Sequence, residues 1–169
     1  MSEIVISAAA LQTHLAYSVW ASTRLVTAAA ELSPQELTHD FKTADQSVVR
    51  TLAHIFAADR VWLGRIRHCP PATFITDHDR QLSVLQDEWP GVQAGWMQWA
   101  AELTDEAVSA DLTYHDLKGR ARTQPIYQII LHVVNHGSHH RGQVSGFLRA
   151  LGRTPPPLDL IVYYREKLK

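Results

Sequence analysis

Residues 132–143 read HVVNHGSHHRGQ, and four of these twelve are histidine. His132, His136 and His140 recur every fourth residue, so in a helix they stand in a row on one face. At ~1.5 Å of rise per residue, neighbours in the row lie ~6 Å apart along the axis and the outer two ~12 Å apart. One ion can therefore bridge 132/136 or 136/140, but not all three. His139 points about a quarter turn away from both pairs. A first-row metal needs at least three good ligands. Carboxylates are scarce near this face, so a third imidazole from another helix is the economical choice. His54 lies in TLAHIFAADRVWL, flanked by apolar residues as an inward-facing group would be, while His14 suits a solvated face equally well. Spacing leaves both pairings and both partners open. Without an ion, every buried imidazole nitrogen would need a hydrogen-bond partner of its own.

Three neutral imidazoles leave coordination positions free, which is the arrangement of a catalytic rather than a structural centre. Such a site supplies Lewis acidity, brings bound water to a pKa of ~7, or activates a thiolate. Nitrogen ligands suit zinc or nickel, and the residue types do not choose between them. Protons compete for the same nitrogens near or below the imidazole pKa of ~6.5. Arg141 and Gln143 are placed either to occupy the second ring nitrogens or to tie the helix to its neighbours. Asp59 is the carboxylate nearest His54 in sequence and is the candidate general base, with Arg60 or Arg65 as its alternative ionic partner. Arg24, Arg60 and Arg141 are candidate grips for carboxylates of a bound thiol. Cys69 is the only cysteine, so neither an internal disulfide nor a cysteine-based zinc site can form. That usage suits a reducing, cytoplasmic setting. Cys69 precedes two prolines and has no helix N-terminus or basic cluster to activate it as a nucleophile.

These groups need rigid elements to hold them. Leu11, Leu15, Val19, Ser22, Leu25, Ala29 and Leu32 share one face of a helix from about Ser7 to Leu32. Ser33-Pro34-Gln35-Glu36 then reads as a helix start, with Ser33 at N-cap, Pro34 at N1 and Glu36 at N3. Val48, Leu52, Ile55, Trp62 and Ile66 make the stripe of a second long helix, about Asp45 to Arg67, which ends at Cys69-Pro70-Pro71. A third spans about Arg80 to Glu106, and Pro90 predicts a kink or fresh start within it. Residues 111–124, DLTYHDLKGRARTQ, read as a hairpin or extended loop around Lys118-Gly119. The fourth long helix runs from about Pro125 to Leu151, with Gly152 as its terminator. Gly137, Gly142 and Gly146 each cost ~1 kcal/mol there relative to alanine, which predicts a closely packed neighbour. The tail is expected to lay Leu160, Ile161, Tyr163 or Tyr164 on the bundle or on a second copy. Trp20, Trp62, Trp96 and Trp99 are expected in the core, Trp20 or Trp62 lining a pocket. His39, His68, His78 and His115 are expected in loops or on the surface. Together these patterns predict an all-α protein: an antiparallel four-helix bundle, with a short extended hairpin or loop before the last helix, as one domain over residues 1–169.

The formal net charge of −1 argues against nucleic-acid binding driven by overall charge. The N-terminus lacks a basic region and carries Glu3, so no signal peptide is expected. No apolar run approaches the ~20 residues of a membrane span. A small-molecule substrate is the expected partner.

The segment His136-Gly137-Ser138-His139-His140-Arg141-Gly142-Gln143, with His54 on an earlier helix, resembles the DinB-like family of damage-inducible helical-bundle metalloproteins. Supporting echoes are Trp20-Ala21-Ser22-Thr23-Arg24-Leu25, Ala53-His54-Ile55 followed by Trp62-Leu63, and Leu151-Gly152 before the proline-rich tail. The resemblance implies a divalent metal held by three histidines, and position by position these are His54, His136 and His140. It thus selects 136/140 over 132/136. It also implies a homodimer. Relatives of this kind include transferases and isomerases that use a low-molecular-weight thiol. The leading expectation is accordingly a metal-dependent thiol S-transferase or isomerase. The alternatives are a hydrolase using metal-bound hydroxide and a non-catalytic, metal-stabilised stress-response dimer.

Overall fold

The computed structural model describes residues 6–167; Glu3 lies outside the described residues. Among these residues, seven α-helices and one hairpin follow in the order α1 (Ala8–Ala29), α2 (Pro34–Thr38), α3 (Val48–Ile66), α4 (Leu82–Ala101), α5 (Asp105–Val108), β1 (Asp111–His115), β2 (Ala121–Pro125), α6 (Ile126–Ala150) and α7 (Leu160–Lys167), with a single 3-10 turn at His78–Arg80 ahead of α4. Local chemistry sets several boundaries. The Ser7 hydroxyl accepts from the Ala10 N–H at the start of α1, and the Ser47 hydroxyl from the Arg50 N–H at the start of α3. Ser33 and Glu36 form the expected reciprocal capping box. Gly152 ends α6 at φ 74°, a left-handed conformation that glycine adopts without strain. Pro90 does not restart α4: it faces solvent inside a continuous helix, where the carbonyl that loses its partner can be hydrated.

The four long helices pack α1 against α4 and α6, and α3 against α4 and α6. Two apolar clusters fill the interior. One joins Leu11 and Leu15 of α1, Leu63 and Ile66 of α3, Trp96 and Ala100 of α4, and Ile129 and Ile130 of α6. The other joins Leu25 and Ala29, Val48 and Leu52, Leu85 and Trp89, and Phe147 and Leu148. The first cluster therefore holds the start of α1 and α6 with the end of α3 and α4, and the second holds the reverse. Facing pairs α1/α4 and α3/α6 are antiparallel, while α3 and α4 run the same way. Residues 67–81 must then return along the length of α3. Arg60 of α3 pins this crossover with a two-pronged ion pair to the buried Asp79 (2.9 and 2.9 Å) and a bond to the Phe74 carbonyl. The crossover thereby seats the Phe74 ring edge-on to the His54 imidazole, 5.4 Å between centroids.

The hairpin pairs β1 with β2 antiparallel, from Asp111 opposite Pro125 to His115 opposite Ala121. At its turn, Gly119 is left-handed and the Asp116 carboxylate accepts the backbone N–H groups of Lys118 and Arg120. In α7, Tyr163 is buried against Tyr17 and Trp20, whereas Ile161 is exposed. The tail so packs its own bundle through Tyr163. Trp89 and Trp96 are the buried tryptophans; Trp20, Trp62 and Trp99 are only half-buried. No helix among the described residues is long and apolar enough to cross a membrane.

The glycines of α6 part company. A Cβ on Gly137 would lie 2.6 Å from the Arg141 guanidinium, so this glycine makes room for a side chain of its own helix. Gly142 and Gly146 would meet nothing within 4 Å, so no neighbouring helix in the chain accounts for them.

A candidate metal centre

Helices α3 and α6 lie side by side and antiparallel, which brings position 54 of one against positions 136 and 140 of the other. One ring nitrogen from each of His54, His136 and His140 falls within 4.8 Å of the other two. The Nε2 atoms of His54 and His136 are 3.0 Å apart. Ring centroids are 5.0 Å apart for 54/136, 4.4 Å for 54/140 and 4.5 Å for 136/140. An ion held at ~2.0–2.1 Å by nitrogen sets tetrahedral ligand atoms ~3.4 Å apart, so the cluster needs little adjustment to hold one. All three imidazoles are half-buried, so the cluster sits in the α3/α6 seam with access to solvent, off the sealed axis of the bundle.

The electrostatics match a ligand set. Burial, reinforced by His140 and His54, drops the His136 pKa to about 3, and burial lowers that of His54. Neutral rings keep their lone pairs available. The His140 Nδ1–H donates to the Gln143 amide oxygen at 2.7 Å, which leaves Nε2 of that ring as the free donor atom. Asp45, in the loop before α3, lies 3.5 Å from His140 Nδ1 and 3.8 Å from His54 Nδ1. These are longer than good hydrogen bonds, but they place a negative charge behind two of the three rings, where it favours a cation in front.

Several expected roles move. His14 is on α1, whose neighbours are α4 and α6, and it does not join the cluster. His132 packs edge-on to Trp62 (5.3 Å between centroids) and stays outside the cluster, although its ring is 5.8 Å from that of His136. Asp59 is not at the site: it is buried in the core, takes the Trp89 indole N–H at 2.9 Å, and burial raises its pKa to about 6. The three arginines proposed as thiol grips are engaged elsewhere. Arg24 pairs with Glu166, Arg60 with Asp79, and Arg141 with the hydroxyls of Ser18, Ser22 and Ser138. Arg141 therefore ties α6 to α1 and supports no ligand ring. His39, His68, His78 and His115 are exposed, as is Cys69. Asp45 is the residue that sequence reasoning missed, because an acidic residue two positions before an N-cap has no periodic signature.

Two cavities flank α6. The larger, about 570 Å³, is lined by Tyr17, Ser138, Arg141, Ser145, Arg149 and the segment 155–160, and it touches none of the three histidines. The smaller, about 290 Å³, is lined by Trp62, Tyr114, Gln124, Gln128, Ile129 and His132, one helical turn from His136. Proximity to the cluster, rather than size, makes the smaller one relevant to chemistry there.

The lowered His136 pKa and the raised Asp59 pKa predict opposing pH effects on the metal-free protein. Between pH ~6.5 and about 3, the unfolded chain binds a proton that folded His136 refuses, so His136 makes stability fall as pH falls through that window. Between pH ~3.9 and about 6, folded Asp59 keeps a proton that the unfolded chain releases, so Asp59 makes stability fall as pH rises. Relative to wild type, His136→Gln should become less stable as pH rises from ~4 to ~6 and Asp59→Asn more stable. Urea unfolding at stepped pH reads both slopes. Bound metal should also survive below the ordinary imidazole pKa of ~6.5, because His54 and His136 resist protonation.

The comparisons with known proteins agree with this architecture. The family model described as DinB family matches residues 6–167. Protein DinB of Bacillus subtilis (strain 168) is 21% identical over 156 residues, spanning 87% of this chain and 89% of the relative. The crystal structure of a DinB-like protein from Bacillus cereus ATCC 10987 superposes with a TM-score of 0.62 at 19% identity, covering 85% of this chain and 94% of that one.

Proposed function

This chain belongs to the DinB family, and from that premise we propose that it is a metal-dependent enzyme whose three imidazoles, His54, His136 and His140, hold one divalent transition metal, zinc or nickel. The observation that carries the reading is the convergence of three ring nitrogens from two helices in a seam open to solvent, with burial favouring the neutral form of His54 and His136. Three protein ligands leave room for a fourth from outside, which distinguishes a reactive centre from a closed structural one. When bound, the ion supplies Lewis acidity and lowers the pKa of a thiol or water brought to it.

The reaction we favour is thiol-dependent S-transfer or isomerisation, with a low-molecular-weight thiol as co-substrate. The hydrolase alternative needs a general base facing the reacting water. Asp59 is in the core, and Asp45 stands behind the rings on their Nδ1 side. A thiol, once ionised, needs no such base. Asp45 and Gln143 orient the rings, and the fixed Phe74 closes one side of His54. We also propose a homodimer; a solution mass of one 19.0 kDa chain would refute it.

Elemental analysis of protein purified without chelator or a nickel column, followed by a panel of thiols with electrophilic acceptors, tests the reading. Thiol consumption and adduct formation by the loaded protein, absent in His136→Ala, are the expected result. Ester or amide hydrolysis without thiol would favour the alternative, and a silent panel with metal-dependent stability would favour the non-catalytic one. Asp45→Asn should weaken metal affinity by ~10–100-fold while the protein stays folded, the range expected when a group supporting a ligand is lost. Competition with a chromogenic chelator measures it.

A further inference from the structure

The cavity of about 290 Å³ beside the cluster is walled by residues that no role above has absorbed. Its faces are the Trp62 and Tyr114 rings, 5.0 Å between centroids and inclined at 67°. The Tyr114 hydroxyl donates to Gln124 Oε1 at 2.6 Å, which leaves the Gln124 amide N–H groups free. Gln128 donates to the Tyr127 hydroxyl through Nε2 at 3.2 Å, which leaves its amide oxygen free. No carboxylate lines the cleft.

Behind it stands Arg65. This residue is only 9% exposed, yet among the described residues no carboxylate lies within ion-pair range of it. Its guanidinium sits 4.4 Å from the Trp62 ring centroid and 4.9 Å from that of Tyr114. The nearest acid, Asp116, is taken by Arg120 and Arg122 at the hairpin turn. The Arg65 nitrogens are not among the sealed atoms left without a partner, so part of the guanidinium reaches the surface. A buried cation without an anion is costly unless something supplies the charge.

We propose that this cleft binds a small, planar, ring-bearing organic anion, stacked on Trp62 and Tyr114, with Arg65, which packs against both rings outside the cleft lining, as its counter-charge, and that this anion is the substrate presented to the metal centre. The volume is near the lower end of the ~300–1,000 Å³ of ligand cavities, which suits one ring system rather than an extended molecule. The position suits presentation, because the His132 ring stands between the Trp62 ring at 5.3 Å and the His136 ring at 5.8 Å. A ligand on the aromatic faces needs to reach past one imidazole to meet the centre. The word substrate rests on the metal-dependent reading; binding of the anion does not.

Tryptophan fluorescence tests it, with cinnamate as probe and cinnamamide as its neutral counterpart. Saturable one-to-one quenching by cinnamate, at least tenfold tighter than by cinnamamide, is expected both in metal-loaded wild type and in metal-free His136→Ala. Trp62→Phe should keep the affinity and lose most of the quench. Arg65→Gln should abolish the preference for the anion; the comparison of the two probes on wild type stands even if that variant fails to fold. Equal affinity for both probes, or a quench unaltered in Trp62→Phe, would overturn the proposal. Binding with cinnamate retained in His136→Ala but no thiol reaction in wild type would instead count against the enzymatic reading alone.

Discussion

Replacing His136 with alanine is expected to abolish stoichiometric metal binding, while His132→Ala leaves it largely intact. Both residues are on α6, one turn apart, and both carry half-buried or solvent-accessible imidazoles, so composition and spacing treat them alike. The difference is what each faces. His136 is the shared member of the cluster, with Nε2 3.0 Å from that of His54 and its ring 4.5 Å from that of His140. His132 faces Trp62 and the hairpin instead. Removing His136 leaves two imidazoles, below the three protein ligands of an open site. The loss should exceed the ~10–100-fold that follows removal of a supporting group. Elemental analysis after dialysis reads occupancy, and far-ultraviolet dichroism confirms that the variant is folded. Full occupancy in His136→Ala would remove the centre; loss in His132→Ala would move it one turn along α6.

The same contrast shows where the sequence was informative. Caps and terminators were legible, because Ser33, Glu36, Ser47 and Gly152 act through neighbours three or four residues away. The row of histidines was legible for the same reason. Which two of the row meet His54 was not, since a row repeats along the helix and only the axial offset between α3 and α6 breaks the tie. That offset is fixed by packing between residues distant in sequence, such as Val49, Leu52, Val144 and Leu148, which share one apolar cluster. Family resemblance named His54, His136 and His140, the three rings that come together in the structure, but a resemblance does not say why. Asp45 and Arg65 were hidden for related reasons. Asp45 reaches the rings from a loop whose path depends on left-handed Lys42 and Gln46. Arg65 looked like a partner for Asp59, and only the packing shows that Asp59 turns inward to Trp89 while Arg65 turns towards the hairpin.

Arg141→Ala is expected to cost about 1–3 kcal/mol of stability, the range for leaving buried hydrogen-bonding groups without a partner, and to leave metal stoichiometry unchanged wherever the variant is folded. Arg141 directly follows His140 in the motif, which invites a role at the metal. It is turned about a quarter of the way round α6, however, so it points at α1 while the imidazoles point at α3. Its guanidinium is 1% exposed, reaches Ser18 and Ser22 at 3.0 and 3.2 Å, and is the cation whose field partly offsets the burial of Asp59. Truncation strands those hydroxyls and leaves Asp59 with less to stabilise its ionised form. Gly137 gives a sharper version of the test. In wild type, Gly137→Ala forces a Cβ to 2.6 Å from the Arg141 guanidinium, and such overpacking costs ~1–3 kcal/mol. In Arg141→Ala that obstacle is gone, and the same substitution should stabilise by up to ~1 kcal/mol through helix propensity. A change of sign in this double-mutant cycle, read by urea unfolding, would show that glycine and arginine act as one unit. Additive effects would mean that Gly137 is there for some other reason. The motif is then two faces of one helix: histidines that build the centre against α3, and an arginine, with the glycine that admits it, that fastens the helix to α1.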